Sequence, residues 1–316
     1  METAILLLIY NRELETKKLL RVLKKIKPKK IYIGADGPKN NEDDLRKCLR
    51  TRLTLRQINW RVLVKKNFSK KNLGCRKSIT KSLNWFFKNE KKGIILEDDC
   101  IPNKDFFKFS ELMLNKYKNN KKIFCISGSN HSKIENSKAT YYFSKYPHCW
   151  GWATWRRAWK KNKPSIKFWP RFKRNLKWLK LHPYNLERRY WNKIFDNVYK
   201  NNFDSWAYPW TLSVWYHEGL TIIPNKNLIN NIGYGLSSTN SIFRKKEIYK
   251  NQKLKKKIKH PRIRIADIEN DTFVFKNHYK GINYLWPFRA IYIINLLIRN
   301  PFVFFKKIFR IINLLK

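Results

Sequence analysis

The chain has 316 residues, 43 % of them hydrophobic and 16 % aromatic, which is enough for one large α/β domain with an extension or for two small domains. Its 70 Lys and Arg against 22 Asp and Glu give a formal net charge of +48. Three explanations of that charge stay open: a nucleic-acid partner, an anionic membrane, or a lysine-rich composition without functional meaning.

The cysteines are odd in number and scattered, without a C-x-x-C pair or a Cys/His cluster of zinc spacing, which indicates reduced thiols in the cytosol. They are Cys48, Cys75, Cys100, Cys125 and Cys149. The short apolar run after Thr3 favours a buried strand over a secretory signal. The longest charge-free run of the apolar C-terminal region is far below the roughly 18–20 residues that a spanning helix needs.

The first hundred residues alternate between strand and helix patterns. Strands are predicted at 4–9, 31–34, 60–64 and 93–96, and helices at 14–26 and 74–87. Repeated β-α units indicate a mainly parallel sheet with helices on both faces. Ligands of such sheets bind beyond the carboxyl ends of the strands.

Three carboxylates, Glu97, Asp98 and Asp99, directly follow the last of these strands. Adjacent like charges raise one another's pKa, and a divalent cation removes that penalty. Oxygen ligands at a strand end suit Mg²⁺ or Mn²⁺ that also holds substrate phosphates. A solvated turn that caps the next helix explains the triplet equally well. Asp36 and the pair Asn11 and Arg12 are predicted at the same edge of the sheet.

Tryptophans are unusually dense between residues 141 and 210. In the segment 148–155, Gly151 stands between Trp150 and Trp152, which indicates a bend where the backbone comes close to a ligand. Aromatic rings pack well on the C–H faces of sugars, so one exposed tryptophan is expected here. The alternative is that the whole segment belongs to the core.

Seven segments within residues 4–240 resemble, in the same order, the GT-A glycosyltransferase superfamily, and more closely a bacterial family related to family 2 glycosyltransferases. They are Leu8-Ile9-Tyr10-Asn11-Arg12, Gly34-Ala35-Asp36-Gly37-Pro38-Lys39, Asn72-Leu73-Gly74-Cys75-Arg76, Gly93-Ile94-Ile95-Leu96-Glu97-Asp98-Asp99-Cys100-Ile101-Pro102, Trp150-Gly151-Trp152-Ala153-Thr154-Trp155, Asp204-Ser205-Trp206 and Pro224-Asn225-Lys226-Asn227-Leu228. The acid triplet is also similar to the Glu-Asp-Asp form of the D-x-D motif in animal N-acetylglucosaminyltransferase I.

The resemblance implies a GT-A fold and assigns roles in donor binding. Asp99 would coordinate the metal that bridges the donor diphosphate, Asp98 would bind the ribose, and Glu97 would lie near the donor sugar. Asp36 would read the nucleotide base, although a plain turn residue is the alternative.

Further residues of the same motifs are expected around the donor. Asn11 and Arg12 would line the base pocket, and Trp152 would lie on the side of the donor sugar and acceptor. Arg76 follows Asn72 at the start of a helix, where anions are favoured, so it is expected at a phosphate. A solvated helix position is the alternative for Arg76.

An inverting transfer needs a general base for the acceptor hydroxyl. Asp204 is the best match to the family's Asp or Glu after the tryptophan segment, Glu218 is its rival, and Asp196 is a weaker third. The sequence departs from the family at Thr239-Asn240, where relatives would carry Thr-His. The lost imidazole contact is expected either to be absent or to come from His217 or His278.

The stretch 302–316, read as a helix, separates basic from apolar side chains, as an interfacial membrane helix does. Packing of that apolar face on the protein is the alternative. The predicted organisation is a GT-A domain over 1–240 (nucleotide-binding half 1–102, acceptor half 103–240), a basic peripheral segment over 241–283, and a membrane-associating tail over 284–316.

These features together predict a metal-dependent, inverting glycosyltransferase on the cytoplasmic face of the inner membrane. It would use Mn²⁺ or Mg²⁺, a nucleotide-diphosphate sugar (a UDP-sugar is favoured) and a glycan or lipid-linked acceptor of bacterial surface polysaccharide or lipopolysaccharide synthesis. A nucleic-acid binder is the first alternative, but the charge is spread along the chain and no RNA- or DNA-binding motif is found. A sugar nucleotidyltransferase is the second, and Tyr10 to Glu13 lack the glycine-rich loop of those enzymes.

Overall fold

The computed structural model describes residues 1–134, 139–233, 252–254, 257–284 and 288–299, together with 301 and 305. The strands are β1 (Ile5–Ile9), β2 (Lys30–Ala35), β3 (Leu63–Phe68), β4 (Lys92–Glu97), β5 (Cys100–Pro102), β6 (Ile123–Ser127), β7 (Tyr141–Ser144), β8 (Trp152–Trp155), β9 (Leu220–Pro224) and β10 (Ile229–Asn231). The helices are α1 (Glu13–Ile26), α2 (Glu42–Leu53), α3 (Cys75–Asn89), α4 (Lys104–Lys116), α5 (Arg156–Trp159), α6 (Trp169–Phe172), α7 (Leu176–Leu181), α8 (Asn185–Tyr199), α9 (Ala207–Tyr216), α10 (Ile268–Asn277) and α11 (Phe288–Arg299).

Eight strands form one sheet in the order β3-β2-β1-β4-β8-β6-β9-β7. β3, β2, β1 and β4 pair in parallel, and β6 and β9 run in the same direction as β4 because β8 is antiparallel to both β4 and β6. β5 and β10 form a separate antiparallel pair. The predicted fold class, an α/β chain with a mainly parallel sheet flanked by helices, is confirmed.

Each central strand is buried on both faces, as its continuous apolar run predicts. Leu6 and Leu8 of β1 face a core shared with α3 and the tryptophan-rich helices α6 to α9, whereas Ile5 and Leu7 face a second core shared with α1 and α4. Two hydrophobic layers therefore hold the sheet between them and fix the positions at which its strands end.

The third strand lies later in the chain than predicted. Its apolar start was expected at residues 60–64, but β3 covers Leu63–Phe68 and includes Lys65 and Lys66. Because β3 is the edge strand, its side chains are largely exposed or half-buried, so apolar periodicity does not mark it.

The segment predicted to be peripheral, residues 241–283, contains helix α10, which packs on the body of the protein. Val274 and Phe275 are buried, and the backbone N–H of Asp267 donates to the carbonyl of Phe143 at 2.7 Å. Residues 241–251 lie outside the described residues. So does the predicted amphipathic helix 302–316, apart from residue 305. None of the helices in the described ranges is long and apolar enough to cross a bilayer.

Candidate active site

The carboxyl ends of β1, β2 and β4 meet at one edge of the sheet, as predicted. Asn11 and Arg12 follow β1, Asp36 follows β2, and Glu97 is the last residue of β4. These residues border a cavity of about 400 Å³, which lies within the roughly 300–1,000 Å³ typical of small-molecule sites. Its lining comprises Leu8, Ile9, Tyr10, Asn11, Arg12, Asp36, Lys39, Asn72, Gly74, Cys75, Ser78, Ile79, Glu97, Asp98 and Asp204.

Two carboxyls, the half-buried Glu97 and the buried Asp98, share one wall of this cavity. Burial raises the pKa of Glu97, and the charges of Asp99 and Asp98 raise it further. Burial likewise raises the pKa of Asp98, with a further contribution from Asp99. The indole N–H of Trp206 donates to Glu97 and opposes its shift, but does not cancel it. This wall therefore concentrates more negative charge than its surroundings neutralise.

Arg12 is the cation that contacts these carboxylates among the described residues. Its Nη1 lies 3.1 Å from Asp98 Oδ1 and 2.6 Å from Asp99 Oδ2, and the backbone N–H of Tyr10 donates to Asp98 Oδ2 at 3.3 Å. Burial lowers the pKa of Arg12, but the charges of Asp98 and Asp99 outweigh it and raise the pKa. The two carboxylates therefore converge on a single positive charge.

Asp99 stands beside the cavity at the start of the small β5–β10 pair. Its backbone carbonyl accepts from Ile232 N–H at 2.9 Å. A Cβ on Gly233 would lie 2.0 Å from Asp99 Oδ2, so only glycine lets this backbone approach the carboxylate so closely. Ile232 and Gly233 thus pack against the predicted metal ligand. The Thr239-Asn240 pair lies outside the described residues.

Asp36 and Asn72 fix the loop opposite the acidic wall. Asp36 Oδ1 accepts from the N–H groups of Gly37 at 2.8 Å and Leu73 at 2.9 Å, and Asn72 Nδ2 donates to the carbonyl of Gly37 at 2.9 Å. Burial raises the pKa of Asp36 despite these hydrogen bonds. A buried carboxyl held in this way presents a directional hydrogen-bonding group to the cavity.

Asp44, which sequence reasoning missed, organises the other end of the cavity. It lies in the first turn of α2, where it accepts from Asn11 Nδ2 and from the backbone N–H of Lys39, each at 2.6 Å. The hydroxyl of Tyr10 donates to Oδ2, the oxygen that also accepts from Lys39 N–H, whereas Asn11 donates to Oδ1. Asp44 therefore joins the loops after β1 and β2. No spacing in the sequence indicates this role, because the three partners meet only in the folded chain.

Asp204 reaches the cavity by capping helix α3. Its carboxylate accepts from Cys75 N–H at 2.7 Å and from Arg76 N–H at 3.0 Å, and Gly74 has a positive φ of 81° beside it. The Arg76 side chain turns away to donate to Asn201 Oδ1 at 3.0 Å and to the carbonyl of Phe203. Arg76 therefore anchors the segment that carries Asp204, and it is not among the residues that line this cavity.

Glu218, the rival general base, does not join this group. It precedes β9, which runs parallel to β6, so it lies at the amino edge of the parallel strands, opposite the cavity. Its side chain is 54 % exposed and lies 3.4 Å from Lys177 Nζ. Asp196 also lies elsewhere, paired with Lys173 at 2.8 Å on α8.

Trp152 is a core residue rather than a sugar-binding surface. It is fully buried on β8, opposite Ile95 of β4, and stacks on Trp206 at a centroid distance of 5.5 Å. The half-buried indole of this segment is Trp150, which packs against His131 and His278. The sequence could not separate the two tryptophans, since burial and sugar stacking both require a large apolar ring.

Lys39 and Ser78 are further cavity residues that were not singled out from the sequence. Lys39 belongs to the Asp36-Gly37-Pro38-Lys39 turn, so the turn motif was a usable signal for it. Ser78 lies one turn into α3, and its backbone N–H donates to Gly74 O at 3.0 Å. A lysine and a hydroxyl add donors to a cavity that is otherwise rich in acceptors.

Comparison with protein-family models finds no match, and comparison with curated proteins finds none. Similar solved structures include TarS of S. aureus (12 % identity, TM-score 0.38, covering 72 % of this chain and 59 % of that one). Others are the mannosyltransferase PcManGT of Pyrobaculum calidifontis in complex with GDP-Man and Mn²⁺ (7 %, 0.35, 69 % and 70 %) and HddC of Yersinia pseudotuberculosis (12 %, 0.33, 52 % and 83 %). With TM-scores this low, the case for an activity has to be made from the site itself.

Proposed function

We propose that the protein is a metal-dependent, inverting glycosyltransferase of the GT-A type that uses a nucleotide-diphosphate sugar. The observation that carries the proposal is one cavity at the carboxyl edge of a mainly parallel sheet, bordered by Glu97, Asp98, Arg12, Asp36 and Asp204. Such edges are where open α/β sheets bind nucleotides. A buried, under-neutralised acidic wall is costly to keep unless a cationic ligand uses it.

The donor set fits a hard divalent cation. Carboxylate oxygens of Asp98 and Asp99 already converge on the Arg12 guanidinium, and oxygen ligands are those that Mg²⁺ and Mn²⁺ prefer. Asp99 is proposed as the ligand, with Asp98 turned to the ribose and Glu97 to the donor sugar. When bound, the ion offsets negative charge on the leaving diphosphate.

The remaining roles follow from the groups each side chain offers. Asp36 presents a carboxyl oxygen for the N–H of a nucleotide base, beside Asn11 and Asn72. Arg12 and Lys39 supply positive charge for the diphosphate. We also propose a UDP-sugar donor and a glycan or lipid-linked acceptor. The support for both is the resemblance of the sequence motifs to GT-A glycosyltransferases.

Asp204 is proposed as the general base for the acceptor hydroxyl. Of the two leading candidates it is the one that borders the cavity, since Glu218 lies at the opposite edge of the sheet. The backbone N–H groups of Cys75 and Arg76 fix its orientation without a second cation. A base held rigidly at the cavity wall meets the geometric requirement for proton transfer.

The products of turnover test the reaction class. Incubation of the full chain with Mn²⁺, a panel of nucleotide sugars and membrane-derived acceptors should release a nucleoside diphosphate together with glycosylated acceptor. Formation of pyrophosphate from a sugar 1-phosphate and a nucleoside triphosphate would instead establish a nucleotidyltransferase. Tight, sequence-selective binding of DNA or RNA at physiological salt would contradict the enzyme proposal altogether.

We further propose that the C-terminal region contacts an anionic membrane. Helix α11 carries aliphatic side chains that are strongly exposed, including Ile294 at 55 % and Ile298 at 72 %. Deletion of residues 302–316 should weaken sedimentation with anionic vesicles, and wild-type binding should partly survive high salt because apolar burial is not screened. A truncated chain that sediments as well as the wild type would contradict the anchor.

A further inference from the structure

Three histidines that lie far apart in the sequence meet in the interior of the protein. His131 follows β6, His148 precedes β8, and His278 ends helix α10. Their exposures are 4 %, 4 % and 9 %, and each offers a ring nitrogen within 4.8 Å of the nitrogens offered by the other two. Three imidazoles at such separations form a recognisable donor set for a metal ion.

The rings are enclosed by other aromatic side chains. The His131 and His278 centroids lie 3.7 Å apart, and His148 lies 4.5 Å from His131 and 5.7 Å from His278. Trp150 packs edge-on against His131 at 5.0 Å, and Tyr279 packs against His278 at 5.0 Å. This apolar wall keeps water away from the nitrogens, which strengthens any metal–ligand bond formed inside it.

The His148 ring lies inside this enclosure, with 4 % of the residue exposed. Its Nε2 makes no hydrogen bond within the described part of the chain. A buried polar nitrogen without a hydrogen bond costs stability, and coordination to a metal would offset that cost.

The loops that carry two of the histidines are held in place independently of any metal. Gly128 N–H donates to Gly151 O at 2.7 Å, which joins the turn after β6 to the turn before β8. Asn130, next to His131, accepts from Tyr142 OH at 3.1 Å and donates to Asn225 O at 3.1 Å. Two ligands are thus pre-positioned on the rigid sheet, and the third arrives on α10.

We infer that His131, His148 and His278 bind a zinc-class divalent cation that pins helix α10 to the sheet, through residues other than the proposed ligands of the donor metal. Imidazole nitrogens favour Zn²⁺ and its neighbours in the transition series, whereas carboxylates favour Mg²⁺ and Mn²⁺. The two sites therefore differ in ligand chemistry and in residues. Three protein ligands leave the fourth position of a tetrahedral zinc site open.

The test measures metal binding by the full chain directly. Protein stripped with a chelator is titrated with Zn²⁺, read out as bound metal after gel filtration, and with Co²⁺, read out by its visible absorption. We expect about one Zn²⁺ per chain, a Co²⁺ spectrum of nitrogen ligands, and a rise of the melting temperature on zinc addition. His148→Ala and His278→Gln should each weaken affinity by more than the roughly 10–100-fold that losing a mere outer-shell partner costs.

Two control variants separate this site from other sources of binding. His217→Ala removes a histidine outside the cluster and should bind zinc like the wild type. Asp99→Asn removes the proposed ligand of the donor metal and should still bind zinc. Zinc binding by this variant therefore tests the histidine site independently of the proposed donor-metal site. If the cluster variants do not fold, the wild-type titration decides: no Zn²⁺ or Co²⁺ uptake at micromolar concentrations overturns the inference. Unchanged binding in folded His148→Ala and His278→Gln overturns it as well.

Discussion

Two buried acidic regions of this protein are built in opposite ways. Around Glu187 on α8, the acid is surrounded by partners: Lys145 Nζ lies 2.9 Å and His182 Nδ1 3.2 Å from its Oε1, and Tyr146 OH donates to it. Burial opposes its ionisation, but these partners prevail and lower the pKa of Glu187 to about 2.

The wall formed by Glu97 and Asp98 is the opposite case. Among the described residues, Asp98 and the neighbouring Asp99 both contact Arg12, and the pKa values of Glu97 and Asp98 are both raised. A satisfied acid stabilises the fold by itself, whereas an under-neutralised pair costs stability until a cationic ligand arrives. Raised pKa values in a group that also borders a cavity are what we expect of a ligand-binding site, which is the interpretation proposed for Glu97 and Asp98.

Substitutions in the two regions should therefore have opposite consequences, and this is the largest effect we expect. Asp98→Asn should reduce turnover by about 10³-fold or more while leaving the melting temperature equal or higher, because it removes buried repulsion. Glu187→Gln should lower the free energy of unfolding by about 1–3 kcal/mol, since it leaves the half-buried Lys145 ammonium without the carboxylate that it contacts. It should leave the turnover of folded enzyme unchanged.

Chemical denaturation measures the stability of each variant, and turnover per folded molecule measures its activity. If Asp98→Asn were strongly destabilised and Glu187→Gln catalytically dead, the assignment of the two regions would have to be exchanged.

The next effect concerns the general base. Asp204→Asn should reduce kcat by about 10²–10⁴-fold while donor affinity stays nearly unchanged, because the amide oxygen can still accept from one of the two N–H groups of α3 but the side chain cannot take a proton. Glu218→Gln, at the other edge of the sheet, is the matched control and should keep full activity. Steady-state kinetics with donor and acceptor varied separately makes the distinction, and the reverse pattern would move the base to Glu218.

A smaller expected effect concerns the pH dependence of the free energy of unfolding. Burial raises the pKa of Asp271 on α10 to about 7, although Ser144 and the N–H of Lys145 donate to it. An acid whose pKa is raised on folding contributes stability at low pH, and that contribution is lost as the pH rises through the folded value. The free energy of unfolding should therefore fall between about pH 4 and pH 8 in the wild type.

Asp271→Asn keeps this group neutral at every pH and should reduce the pH dependence of the free energy of unfolding, while the contributions of Glu97 and Asp98 remain. Relative to the wild type, the variant should gain roughly 1–3 kcal/mol between pH 5 and pH 8 in urea unfolding. Parallel pH profiles of the two proteins would mean that Asp271 is ionised in the fold at all these pH values.

The sequence predicts the parts of the molecule that depend on local pattern. The apolar runs of β1, β2 and β4 mark strands buried on both faces, and strand ends of one direction must meet at one edge, so the acidic turns were placed correctly together. Asp204 was chosen by motif, but its contact with the N-terminus of α3 spans 129 residues of chain and leaves no local signal.

The remaining errors share a physical cause. The position of Glu218 depends on the direction of β9 in the sheet, which strand propensity does not specify. Trp152 and Trp150 are separated by a single glycine, yet one is in the core and the other half-buried. The His131, His148 and His278 cluster has no zinc-type spacing, because its ligands come from three separate elements.

The central claim, that the acidic wall exists to hold a metal and a nucleotide diphosphate, is tested most directly by thermal shift. Wild-type protein should be stabilised by a nucleoside diphosphate in the presence of Mn²⁺ or Mg²⁺, with UDP the first to try, and much less after chelation, because ligand binding to the folded state raises the melting temperature. Asp99→Asn should fold normally, lose that metal dependence and fail to turn over donor. Full activity in chelated wild-type enzyme, or equal nucleotide stabilisation with and without the ion, would contradict the claim.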